Sequence, residues 1–319
     1  MRILDVFAPK PTQLVRLAPL DLRFIEPYLE MLADPEGRRL TATTAKFDRP
    51  KIEEWLATRA SISNRKDWAI VLDGGARTGE FVGEVVLNEF DDVKNQMNLR
   101  IALRGADYYS RGFGRQAIAL ALEYAFDELA LAKVTLEVLV ANPRAIRCYE
   151  AVGFVTGRQF SEKGLRFQRM SINKQQFVSA IGQRALQNFL QPGWVFATDT
   201  AKRRAGLCNY SARQISISRY YIDLHSIDDC LQVLAHEMGH AKAGNAAGHG
   251  KKWLAAARQF GYRNEKLTGL TVAEEHAPWL GVCPAGHQHF RYRKPTGPLS
   301  CLKCSSQFSS QHLIAWKKR

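Results

Sequence analysis

Three histidines and a glutamate fall within residues 235–253, AHEMGHAKAGNAAGHGKKW, and this stretch dictates a helix, a sharp break and a return. His236 and His240 stand four apart, so on an α-helix they lie one turn above each other on one face, within reach of a single ion. A hydrolytic zinc site has three protein ligands and one open position for water, so two histidines do not complete it. His249 is the candidate third ligand, because Gly244, Asn245 and Gly248 end helices and tolerate positive φ, which lets the chain double back. Glu237, next to the first ligand, is the candidate general base. Upstream, Ser226 offers an N-cap, Asp228 and Asp229 suit the first turn, and Leu231, Leu234 and Met238 form an apolar stripe beside the histidine face. The bare His-Glu-x-x-His pattern also arises by chance on core helices, and it is the cap, the glycine-broken turn and the third histidine that point to metal.

A second metal site is legible in the tail, VCPAGHQHFRYRKPTGPLSCLKCSSQF. The two-residue gap between Cys301 and Cys304 lets both thiolates point at one ion, and Cys283 with His287 supplies the other half of a zinc ribbon. His287 fits a four-residue separation from Cys283 better than His289 does, though either could complete the tetrahedron; the bland alternative is a pair of reduced surface cysteines. The other three of the six cysteines, Cys148, Cys208 and Cys230, are scattered and read as small buried hydrophobes, so no disulfide framework is expected. The first residues, MRILDVFAPKPTQLVRL, lack the apolar core of a signal peptide, and no run is long enough to span a bilayer. A reducing, cytoplasmic setting without a membrane partner is the expectation.

The stretch from about Phe177 to Phe308 resembles the SprT-like (Spartan-like) metalloprotease family. The carriers are GLCNYSARQISISRYY before the helix, LAHEMGHA on it, GHGKKW after it, and the cysteine-containing tail. The interval from His240 to His249 exceeds the metzincin spacing, which favours SprT over metzincins. The resemblance implies a zincin-like helical core with a catalytic zinc, a small β-rich ribbon with a structural zinc, and protein substrates associated with DNA.

Charge divides unevenly along the chain. Residues 1–174 carry 26 Lys and Arg against 23 Asp and Glu, a net of +3, whereas residues 175–319 carry 19 against 8, a net of +11. Clusters at Lys202-Arg203-Arg204, Lys251-Lys252, Arg291 to Lys294 and Lys317-Lys318-Arg319 suit a phosphate backbone, and Phe290 and Tyr292 could stack on bases. A merely solvated basic surface is the competing reading.

The first half has a different grammar. DWAIVL, EFVGEVVLNEF and QMNLRIAL, separated by turn-rich segments, predict an antiparallel meander. The period then changes: GFGRQAIALALEYAFDEL predicts a helix, AKVTLEVLV a strand, and NPRAIRCYEAVGF a helix begun by Pro143 and closed by Gly153. Between meander and helix lies Tyr109-Ser110-Arg111-Gly112-Phe113-Gly114-Arg115. A glycine-bearing loop opening into a helix leaves converging backbone N–H groups that can receive a pyrophosphate, with Arg111 and Arg115 adding charge, although such a loop can equally be a tight turn.

Residues 12–172 resemble the GNAT acetyltransferase superfamily, carried by Arg111-Gly112-Phe113-Gly114 and by Asn142, Ala145, Tyr149, Gly153 and Phe154 of ANPRAIRCYEAVGF. The family's loop usually opens with Gln or Arg three residues before the first glycine, and Tyr109 departs from that. The resemblance implies acetyl-CoA between two splayed strands, with Arg111, Gly112, Phe113, Gly114 and Arg115 at the pyrophosphate, Asn142 near the pantetheine, and Tyr149 protonating the departing thiolate. Tyr149 could equally be a core aromatic. Glu84 and Glu89 are candidate bases for the acceptor amine. The acceptor could be a protein N-terminus, a lysine, a polyamine, a tRNA-borne group or an antibiotic.

The expected fold is α+β in two domains: a GNAT mixed, mostly antiparallel sheet flanked by helices over residues 1–174, then a zincin-like helical core over 175–277 with a β-rich zinc ribbon and basic tail over 278–319. The change of pattern at SINKQQF marks the junction. The expected activity is bifunctional, a zinc peptidase joined to an acetyl-CoA-dependent N-acetyltransferase; the alternative is an acetyltransferase with a catalytically silent, zinc-stabilised nucleic-acid-binding module.

Overall fold

The computed structural model describes residues 1–8, 13–263 and 277–319. The expected 277/278 limit of the ribbon borders on residues 264–276, which lie outside the described residues.

A short helix, α1 (Ile3–Phe7), precedes strand β1 (Leu14–Pro19) and three helices, α2 (Ile25–Ala33), α3 (Pro35–Leu40) and α4 (Arg49–Thr58). The expected meander follows as β2 (Lys66–Asp73), β3 (Phe81–Asp91) and β4 (Gln96–Leu103). Then come α5 (Phe113–Asp127), β5 (Lys133–Leu139), α6 (Pro143–Val152), β6 (Val155–Glu162) and β7 (Leu165–Ile172). These strands form one sheet in the order β1-β2-β3-β4-β5-β7-β6. Every pairing is antiparallel except β4 with β5.

That exception positions the site. β4 and β5 pair only over Gln96–Lys133, Met97–Val134 and Asn98–Thr135, then part, so the later backbone of both strands faces an opening instead of a partner. Gly112 takes φ 82° as the cap of α5, a left-handed turn that a side chain would strain, and it lets the chain swing from the end of β4 into the helix beside that opening.

The second half begins with α7 (Lys174–Phe189), launched by a capping box in which Asn173 and Gln176 exchange side-chain and backbone hydrogen bonds. A three-stranded sheet in the order β8-β10-β9 follows, built from β8 (Val195–Asp199), β9 (Gly206–Asn209) and β10 (Gln214–Ser218). After α8 (Arg219–Leu224) come α9 (Ile227–Ala243) and α10 (Lys251–Gln259). Gly239 brings these two helices close: a Cβ there would stand 2.7 Å from that of Ala257. The tail is a sheet in the order β12-β11-β13, made of β11 (Trp279–Val282), β12 (Gln288–Arg291) and β13 (Ala315–Lys318).

The change from strand to helix at SINKQQF is not a gap in packing. One continuous buried cluster runs from Val85 and Leu99 of the large sheet through Phe126 of α5 and Phe177 of α7 to Leu231 and Met238 of α9. α1 is wedged between α5 and α7, with Phe7 stacked on Phe177 at 6.0 Å. Among the described residues, no helix is long and apolar enough to cross a membrane.

Candidate functional site

The three histidines sit where the helix period and the glycine turn put them. Ser226 caps α9 in a reciprocal box with Asp229, and Ile227, Leu231, Val233, Leu234 and Met238 are buried, leaving His236 and His240 half-exposed one turn apart. The helix ends at Gly244, at φ 85°, and Gly248, at φ 48°, returns the chain so that His249 faces them. The Nε2 atoms of His236 and His240 are 3.3 Å apart, and each lies 3.1 Å from Nε2 of His249. Three imidazole nitrogens this close cannot all satisfy one another with protons, and the donor set fits one borderline cation such as zinc. Burial lowers the His236 pKa to about 4, with His240 and His249 adding to the effect. Burial also lowers that of His240, so both rings are held neutral, as ligands must be.

Glu237 packs against β9. Its side chain is 8% exposed, and burial pushes its carboxyl up to about 7, opposed by the Arg204 charge and by the Cys208 backbone N–H, which donates to it. Gly206 makes room for it: a Cβ there would meet Glu237 Oε1 at 2.9 Å. Trp253, on α10, was not legible as a site residue. Its ring lies 4.7 Å from His236, 5.4 Å from His240 and 4.7 Å from His249, centroid to centroid, and its Nε1 donates to the His236 carbonyl at 3.3 Å.

In the tail, ligand atoms of Cys283, His287, Cys301 and Cys304 all lie within 4.8 Å of one another. His287 Nδ1 stands 3.2 Å from Cys304 Sγ and 3.6 Å from both other sulfurs. His289 instead places Nε2 3.2 Å from Cys301 Sγ alone, outside the cluster of four. The strand alternation explains the difference, since His287 precedes β12 in the turn while His289 lies on it. Cations cover the aromatic rings of this sheet: Arg291 over Trp316, Lys294 over Trp279, and Arg319 over Phe290.

The first half holds a cavity of 1340 Å³ lined by the diverging parts of β4 and β5, by the α5 loop and by α6. Gly112, Phe113, Gly114, Arg115, Asn142 and Tyr149 line it, and Arg111 does not. Arg111 folds back to donate to the Asp107 carbonyl at 3.1 Å, and Arg115 turns its Nε to the Phe7 carbonyl at 2.9 Å. Arg144 also lines the cavity, with its guanidinium 4.2 Å over the Tyr109 ring. Tyr109 is fixed in turn by donating to Asp34 at 2.7 Å. Asn142 caps α6 by accepting from Ala145 N at 3.1 Å. Tyr149 is 7% exposed and edge-on to Phe154, and burial raises its phenol far above the ordinary range, so it stays protonated.

Glu84 and Glu89 part company. Glu84 lines the cavity and accepts from Tyr28 Oη at 3.0 Å. It is enclosed by protein except toward the cavity, and burial pushes its carboxyl up against that hydrogen bond. Glu89 is exposed, with φ 55°, where the β3–β4 register slips. Tyr28 lies far from Glu84 in sequence, and no local pattern pairs them.

Comparison with known proteins gives two family matches. Residues 14–155 match the acetyltransferase (GNAT) domain and residues 174–276 match the SprT-like family. A spermidine N(1)-acetyltransferase of Vibrio cholerae is 36% identical over 74 residues, which is 23% of this chain and 42% of that relative; the chain thus spans less than half of the relative's length. Among solved structures, the V. cholerae spermidine N-acetyltransferase in complex with CoA and spermine matches with a TM-score of 0.45 at 21% identity, over 51% of this chain and 98% of that one. A point mutant of that enzyme matches with a TM-score of 0.44 at 22% identity, over 51% and 96%.

Proposed function

We propose, for a chain that carries a GNAT acetyltransferase domain ahead of an SprT-like domain, that both are enzymes: the first an acetyl-CoA-dependent N-acetyltransferase and the second a zinc peptidase acting on nucleic-acid-bound proteins.

The observation that carries the peptidase reading is the convergence of three imidazoles on a helix that also carries, next to the first of them, the buried carboxyl of Glu237. His236, His240 and His249 would hold zinc, which when bound supplies Lewis acidity toward water and a peptide carbonyl. Glu237 is matched to its part: a carboxyl titrating near neutrality can take a proton at a carboxylate oxygen and return it to a departing amine. Trp253 packs all three ligand rings into one arrangement. A structural site gains nothing from such a carboxylate, whereas Cys283, His287, Cys301 and Cys304 form the closed four-ligand set of a structural zinc. The net charge of +11 over residues 175–319 and the cation-covered rings of the tail sheet support docking on nucleic acid.

The transferase reading rests on the parting of β4 and β5 beside the left-handed Gly112 loop. The loop amides and Arg144 are placed for a pyrophosphate. In the transfer, the amine nitrogen bonds to the acetyl carbon and the carbon–sulfur bond breaks with its electron pair on sulfur. Of the two protons an ammonium acceptor loses, one ends on the thiolate, delivered by Tyr149, and one reaches solvent.

The peptidase test is Glu237→Gln in the full chain, read against a basic protein substrate with and without DNA. Cleavage should stop while zinc content stays constant. Cleavage by the variant at the parental rate overturns Glu237 as base, and no cleavage by the parent under any condition leaves the silent-adaptor alternative.

A further inference from the structure

The acceptor end of the large cavity is built of charges, several of them already paired. Of the lining charges, Arg65 is held by Asp67 at 2.5 Å, Glu137 by Arg169 at 2.5 Å and Asp91 by Lys94 at 2.7 Å. Arg38 spends its donors on the carbonyls of Leu32 and Ala45. Glu84 and Arg100 stand outside this scheme, as do Glu89, Arg144 and Arg147 of the lining. Glu84 accepts from Tyr28 through Oε2 and has no other hydrogen-bond partner among the described residues. Arg100, exposed into the cavity, has neither a hydrogen bond nor an ion pair among them.

The register sets these two against each other. Glu84 lies opposite Ala102 and Val86 lies opposite Arg100 on the antiparallel β3–β4 pair, so Glu84 and Arg100 project from one face, diagonal neighbours with Cβ atoms roughly 7 Å apart. A ligand bridging them needs a cation and an anion only a few bonds apart. The walls around them, Tyr28, Met31, Phe47 and Trp55, are apolar or aromatic.

Resting on the acetyltransferase reading of this cavity, we propose that its acceptor is a zwitterion, an α-amino acid with an apolar side chain whose ammonium meets Glu84 and whose carboxylate meets Arg100. A polyamine fits poorly. Its several ammonium groups need several free carboxylates, and this wall offers Glu84 and the outlying Glu89 with an unpaired arginine between them and the cosubstrate end.

The test uses the full chain, acetyl-CoA, and release of free thiol with three acceptors: L-phenylalanine, its amide, and spermidine. Phenylalanine and its amide differ in the group that Arg100 would hold and in amine basicity, so their rates are compared per free amine across a pH series. The acid should exceed the amide in kcat/KM by roughly 10- to 100-fold, the usual weight of a charge-assisted hydrogen bond at a binding site. In Arg100→Gln the ratio should collapse toward one through a rise in KM for the acid, and Arg100→Lys should recover part of it. Calorimetry with acetyl-CoA separates the failures. A parent chain that does not bind acetyl-CoA overturns the acetyltransferase reading itself. A parent that binds acetyl-CoA but acetylates spermidine or the amide as well as the acid, or acetylates no amino acid, overturns the zwitterion alone. Weaker acetyl-CoA binding in Arg100→Gln would assign that side chain to the cosubstrate and also overturn it.

Discussion

Replacing Asp127 should loosen the histidine-bearing helix α9 from a position outside the SprT-like match. Asp127 ends α5 of the acetyltransferase fold, yet its Oδ2 accepts from Ile227 N, the first residue of α9, at 2.8 Å. Its Oδ1 stands 3.0 Å from Lys174 Nζ, close enough for an ion pair though not aligned as a hydrogen bond. Both side chains are largely enclosed, at 16% and 18% exposure, so the pair is screened far less than a surface bridge. Loss of a helix-start acceptor costs about 1 kcal/mol. Leaving Lys174 with only the His225 carbonyl as a partner costs roughly 1–2 kcal/mol, below the full penalty for an orphaned buried charge because that carbonyl still accepts from it at 2.7 Å. Asp127→Ala should therefore destabilise by about 2–3 kcal/mol, and Asp127→Asn, which keeps an acceptor for Ile227, by less. With an unfolding entropy that scales with length, the alanine variant should melt about 4 °C lower. Urea unfolding followed by near-ultraviolet circular dichroism and by zinc release measures it. The expected result is one transition displaced in both signals. A loss below about 0.5 kcal/mol, or a displaced zinc signal with an unmoved dichroism signal, would refute the claim that this contact ties the two halves into one cooperative unit.

Other outcomes follow from single sites. Burial, with Asp127 and Asp228 adding repulsion, raises the Glu123 carboxyl to about 7. The folded chain then binds more protons than the unfolded one between the ordinary carboxylate range and neutrality, so stability should fall as pH rises through that window, by on the order of 2–3 kcal/mol. Glu123→Gln should flatten the slope in urea midpoints taken from pH 5 to 8, and an unchanged slope would remove Glu123 as its source. Gly112→Val places a β-branched side chain at φ 82° and should weaken acetyl-CoA binding at least tenfold by calorimetry, while equal affinity would show that the loop does not receive the cosubstrate. Metal analysis should give two zinc ions per chain, one after joint replacement of His236 and His240; retention of both would place the second zinc elsewhere.

What the sequence made legible is what repeats locally. The alternation in β2 to β4, the changed period in α5 and α6, and the cap of α9 are set by residues within a few positions of each other, and each formed as expected. The convergence of His236, His240 and His249 was legible because one helix and one turn carry them all. The Arg111 and Arg115 charges were not, because their guanidinium groups are claimed by the carbonyls of Asp107 and Phe7, and Phe7 lies over a hundred residues away in the chain. Tyr28 against Glu84, Trp253 against the histidines and Asp127 against Ile227 are likewise contacts between elements whose meeting is decided by packing, and no spacing announces them.

The same packing joins the two folds that share this chain. α5 begins at Gly112, in the loop that faces the cavity, and ends at Asp127, on the first turn of the helix that carries His236 and His240. Its buried face, including Phe113, Ile118, Leu122 and Phe126, belongs to the same continuous core as Leu231 and Met238 of α9. Domains joined by a solvated linker would lack this shared core. Here the junction at Asn173 is itself a capped helix start, and the helix it opens packs into the core that both folds share.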